Sequence, residues 1–158
     1  MVRLLIISGL LLNAAPAFAA EKPVDPYVQS NSNAGAQPFV GDEMLKVFHG
    51  PEGVSRIIDE LLDGVSKDPR TADIFKATDM ERLHRTLKEQ FVYLLGGKAE
   101  YTGRDMKTSH KDQGVQQTDF NILVEYLQTA MDHEHVPFRA QNRLLAKLAP
   151  MEKDVVVR

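Results

Sequence analysis

The chain has 158 residues, 43% of them hydrophobic, a formal net charge of −3 and no cysteine. This is long enough for one domain with a sizeable core, and the apolar content is that of a globular chain. The mild acidity lacks the basic footprint of a nucleic-acid binder. The missing cysteines exclude disulfides, thiolate catalysis, iron–sulfur clusters and cysteine-ligated zinc.

The N-terminus reads as an export signal. Arg3 gives a positive start, residues 4–12 form a short apolar run, and Ala17-Phe18-Ala19 is a small-x-small cleavage signature. Cleavage is expected after Ala19 or Ala20, so residues 1–20 are assigned to a signal peptide. The run is too short for a spanning helix. With no cysteine behind it, it is not a lipoprotein signal. The expected destination is a bacterial periplasm or the exterior, with no membrane association once the signal is removed. Residues 21–38 are rich in Pro, Asn, Ser, Ala and Gln and show no apolar periodicity, which predicts a flexible linker. The folded domain is expected over 39–158.

Helical spacing dominates from there. Residues 42–48 predict a short helix with Met44, Leu45 and Phe48 on its apolar face. Gly50 suits its end, and Pro51 can open the next helix, over 52–66. That helix carries Val54, Ile57, Ile58, Leu61, Leu62 and Val65 on one side. Asp68-Pro69 breaks it. Asp73-Ile74-Phe75 lies in a connector. Thr78-x-x-Glu81 has the form of a capping box and opens a helix to about Leu95, stopped by Gly96-Gly97. Residues 98–114 are polar and loop-like, with a short helical turn around 105–110. A long helix over 117–134 buries Phe120, Leu123, Val124, Leu127 and Met131, and Pro137 separates it from a last helix over 138–154. No period-2 segment appears, so the fold class is all-α. Taken singly, each apolar stripe is ordinary helical core.

The segment 101–115, YTGRDMKTSHKDQGV, places His110 in a polar stretch between two strongly apolar helical patterns. A neutral imidazole is a common haem-iron ligand. Gly96-Gly97, then Tyr101-Thr102-Gly103, then Met106, then His110 resembles the group I truncated haemoglobins. The resemblance runs from about residue 42 to 155. It takes in Phe75, Asp119-Phe120 and the late run Leu148-Ala149-Pro150-Met151. It implies a shortened globin, a two-over-two helical sandwich around a haem. With no cysteine for thioether attachment, the haem is expected to be b-type and non-covalent. His110 matches the proximal iron ligand. Phe75, Leu83, Leu87, Phe91, Tyr101, Met106, Val115, Phe120 and Leu123 match positions around the ring. Thr78 and Arg104 fall near where its propionates would emerge.

One departure bears on chemistry. Many members of that family carry a tyrosine on the second helix and a glutamine on the distal helix, which donate hydrogen bonds to bound oxygen. Leu62 and Leu87 stand at those positions here, and Leu83 lies on the same face. The distal side is therefore expected to be apolar throughout. Oxygen is polarised toward negative charge when bound, and a donor hydrogen bond to it is worth roughly 1.5–3 kcal/mol. Its loss speeds release about tenfold to a hundredfold. His84, one position past Leu83, is either a solvated helix histidine or an occasional distal ligand. His133 and His135, two apart, point to different faces and make a poor chelate.

No nucleophile–base arrangement and no phosphate-cradling loop is present, so a gas-binding protein is expected before an enzyme. The partners implied are oxygen, nitric oxide or carbon monoxide, with a reductase, and no nucleic acid. Reversible oxygen binding or transport leads. Nitric oxide- or peroxide-processing at the same haem is one alternative, and a haem-free helical interaction module is another.

Overall fold

The computed structural model describes residues 20–156, so the predicted signal peptide, apart from Ala20, lies outside the described residues. Eight α-helices occur in this span: α1 (Glu43–Val47), α2 (Gly50–Lys67), α3 (Ala72–Phe75), α4 (Met80–Leu94), α5 (Met106–His110), α6 (Gln117–His133), α7 (Phe138–Leu148) and α8 (Glu152–Val155). Single 3-10 turns precede α1 and separate α7 from α8. No strand occurs among the described residues. None of their helices is long and apolar enough to cross a membrane.

The central element is α2. Val54, Ile57, Ile58, Leu61, Leu62 and Val65 are each at most 1% exposed. Burying each such side chain contributes about 1.5–3 kcal/mol, more than helix propensity supplies. This stripe packs mainly on α6 and α4, and α7 pairs with α6. Gly64 lets α6 come close, because a Cβ there would lie 2.4 Å from the Tyr126 ring. The helices thus form two pairs, α2 with α4 and α6 with α7, leaving a space walled by α2, α4, α5 and α6.

Three local expectations are corrected. The N-cap of α4 is Asp79, whose carboxylate accepts from Arg82 N at 3.2 Å. Thr78 instead donates its hydroxyl to Ile74 O at 3.3 Å. The last helix does not run to 154. It stops at Leu148, where Pro150 has no N–H to continue the ladder, and resumes as α8 after a 3-10 turn.

The third correction is the largest. Where composition predicts a flexible linker over 21–38, the structure lays the segment across the helical body. Tyr101 N donates to Asn31 Oδ1 at 2.7 Å, and Tyr27 donates its hydroxyl to Thr102 O, likewise at 2.7 Å. Phe39 N donates to Leu94 O. Ala34 is fully buried, against Leu94, Tyr101 and Met151. These residues hold their place by polar bonds to distant partners rather than by an apolar stripe.

Candidate functional site

The space between the helix pairs is a cavity of about 930 Å³, its mouth included. Leu62 and Val65 of α2, Leu83 and Leu87 of α4, and Phe120 and Leu123 of α6 form apolar walls. Phe75 closes one end from α3, and Tyr101, Met106, His110 and Val115 come from the α4–α6 connection. Twelve residues are read from the sequence as ring-facing, distal or iron-ligating positions, His84 among them, and they are expected on this lining. All reach it except Phe91 and His84.

Phe91 is a correction, and His84 takes the solvated one of its two readings. Phe91 is 4% exposed and packs in the main core. His84 faces out, with Nδ1 2.9 Å from Asp59 Oδ1 of α2, so its ring is held at the surface and does not line the cavity. Arg104, read as near the propionates, lies in the mouth with Thr78.

The backbone of 101–110 presents His110. Tyr101 is 5% exposed and donates its hydroxyl to Arg104 O at 2.9 Å, pinning the turn. Gly103 is required there, since a Cβ would fall 2.2 Å from the Tyr101 oxygen. Asp105 caps α5 by accepting from Thr108 N at 2.9 Å. His110 Nδ1–H then donates to Met106 O at 2.7 Å. This bond fixes the tautomer and leaves the Nε2 lone pair free. Burial pushes the imidazole below its ordinary pKa, against a smaller upward pull from the Met106 carbonyl. A neutral, oriented imidazole on an apolar cavity is the donor set a haem iron needs. These residues therefore fit a haem.

The opposite wall holds two polar residues that the sequence reading missed, Thr86 and Gln90 of α4. Neither offers a donor in the resting structure. Thr86 donates to Arg82 O at 2.9 Å. Buried Gln90 donates Nε2 to Ala34 O at 2.8 Å, with Met106 Sδ at 3.6 Å. Thr71 and Thr78 likewise donate to backbone carbonyls, at 2.6 and 3.3 Å. The distal wall is thus not apolar throughout, but its hydroxyl donors are committed to the protein's own backbone. The signal for Thr86 and Gln90 was present, since both recur at helical spacing from Leu83.

An all-helical body with an apolar cavity and one inward, neutral imidazole is the arrangement of a globin. The family model described as Bacterial-like globin matches residues 46–157. A group 1 truncated haemoglobin of Mycolicibacterium paratuberculosis is 27% identical over 106 residues, covering 67% of this chain and 78% of its own. One from Chlamydomonas moewusii is 38% identical over 81 residues, covering 49% of this chain and 47% of that one. Among solved structures, the truncated haemoglobin of Tetrahymena pyriformis in its Fe(III) form superposes with a TM-score of 0.69 at 23% identity, over 73% of this chain and 98% of that one. The 2/2 haemoglobin of Synechococcus, described with covalently attached haem, superposes at 0.66 and 21% identity, over the same shares. The chain belongs to the bacterial-like globin family, as a group I truncated globin with the two-over-two fold. Membership implies haem and the binding of diatomic gases.

Proposed function

We propose that this protein holds a non-covalent b-type haem and reversibly binds a diatomic gas, oxygen foremost. The observation that carries this reading is the His110 ring, held by Met106 O at 2.7 Å with Nε2 left free on an apolar cavity. The haem supplies the gas-binding iron chemistry. His110 would supply the nitrogen that holds the iron. Phe75, Phe120 and Leu123 would pack against the haem and keep water out, and Leu62, Leu83 and Leu87 would shape the space for the gas. Absence of cysteine supports non-covalent attachment. Donor-poor lining supports fast release of oxygen over tight storage. We also assign the protein to an exported compartment, on the strength of Arg3, the apolar run over 4–12 and Ala17-Phe18-Ala19.

The test is spectroscopic. The protein titrated with hemin is expected to take up one haem per chain and to give a Soret band that shifts on reduction and again with carbon monoxide. His110→Ala is expected to abolish stoichiometric uptake, and free imidazole to restore part of it. Full haem content and an unchanged spectrum in His110→Ala would overturn the ligand assignment.

A further inference from the structure

The cavity opens into an outer chamber of about 1350 Å³, open space included, and the two share Ile74, Thr78, Leu83, Thr86, Tyr101 and Ser109. Val24 and Tyr27 of the N-terminal arm line that outer chamber. The arm has two parts of different character. Residues 30–36 are an anchor: Ala34 is fully buried, its carbonyl accepts from Gln90, and Asn31 caps Tyr101 N. Residues 21–28 are mostly exposed, and Val24 and Val28 are 45% and 83% accessible.

This outer stretch bridges the two banks of the opening. On the α4 bank, Lys22 N donates to Asp79 Oδ2 at 2.6 Å. There too, Arg82 donates to Lys22 O, and Arg85 meets the Glu21 carboxylate at 2.5 and 2.9 Å. On the bank that leads to α5, Tyr27 donates to Thr102 O at 2.7 Å. Arg104 donates to Asp25 O at 3.0 Å, and its guanidinium sits 5.0 Å over the Tyr27 ring. Both arginines of the mouth, Arg82 and Arg104, are thereby committed to the arm. All of these bonds are polar and none belongs to the core, so they can open without global unfolding.

We infer that residues 21–28 are a strap across the mouth of the haem cavity and set the rate at which haem enters and leaves. The inference rests on the haem reading above. A ring seated against His110 can leave by the outer chamber only when the two banks part, and the strap ties them together. Its α4 side is ionic, so its hold weakens with salt.

The experiment compares the full chain with a chain lacking residues 21–28, which keeps the anchor, both loaded with ferric haem. Haem loss is followed by transfer to excess apomyoglobin. Equal haem stoichiometry, the same Soret position and loss at least tenfold faster without the strap are expected. Molar sodium chloride should speed loss from the full chain and not from the shortened one. The double variant Glu21→Gln, Tyr27→Phe in the full chain should fall between them with the thermal midpoint of its apoprotein unchanged, and it stands in if the deletion fails to fold. Loss rates within twofold of each other would overturn the strap and leave the haem reading intact. Failure of the full chain to take up haem would overturn both.

Discussion

Leu87 and Gln90 stand three residues apart on α4 and both line the cavity, yet neither donates a hydrogen bond into it. Leu87 has no polar atom, and Gln90 turns its amide to Ala34 O. The consequence falls on oxygen more than on carbon monoxide, because oxygen is the more polarised when bound. Leu87→Gln places an amide where many relatives carry one. It is expected to slow oxygen release about tenfold to a hundredfold, the equivalent of one charge-assisted hydrogen bond. Carbon monoxide release, measured in parallel by ligand replacement, should move much less. Equal slowing of both gases would mean that the new side chain acts by crowding. At this scale the sequence was informative where chemistry is local: Met106 and His110 are four apart, and the bond that orients the ring joins those two. It was less so around the helix. From Leu83, Phe91 is rotated about 80° and Gln90 only about 20° in the other sense, at 3.6 residues per turn. A stripe read at every fourth residue therefore drifts off the cavity onto Phe91, while Gln90 stays on it.

At the scale of elements, periodicity and breakers located α2, α4 and α6, because their stability comes from one continuous apolar face. The arm escaped because it has none. Its partners lie 57 and 75 residues away at Asp79 and Thr102, and composition carries no trace of such pairing. The cavity itself depends on how closely α2 and α6 approach. Gly64 sits at that crossing, and behind it Tyr126 donates its hydroxyl to Asp68 Oδ2 at 3.1 Å. Gly64→Ala gains helix propensity on α2, about 1 kcal/mol. The added methyl must also displace the Tyr126 ring, an overpacking cost of about 1–3 kcal/mol. The net expectation is loss of stability, with a lowered urea midpoint. Gly64→Ala combined with Tyr126→Leu should recover part of it by removing the ring that is struck. A single substitution that raises the midpoint would show that α6 yields at no cost.

The whole molecule is clamped at both ends of the α2–α6 contact by carboxylates. Glu134, just past α6, accepts from Arg56 of α2 and faces His49 at 3.0 Å. Arg56 first, and His49 second, hold its carboxyl down to about 2. Asp68, just past α2, accepts from Arg70 Nε at 3.1 Å and from Tyr126 of α6. The Arg70 guanidinium and backbone amide hold it well below the usual carboxylate range. An unfolded carboxylate titrates near pH ~4. Below that value the unfolded chain binds protons that the folded chain refuses, so stability present above pH ~4 is lost as pH falls toward the folded values. His110 adds an earlier, smaller loss of the same sign. Its buried imidazole resists protonation while the unfolded one accepts a proton near pH ~6.5. The thermal midpoint of the apoprotein is therefore expected to decline gently from pH 7 to 5 and steeply below 4. Arg56 is exposed and its pair with Glu134 is screened by solvent, whereas the Asp68 carboxylate is buried and bridges to α6. Asp68→Asn should lower the midpoint at neutral pH and flatten the acid limb. Glu134→Gln should change both less. An acid limb as steep in Asp68→Asn as in the parent would remove the α2–α6 clamp as its cause.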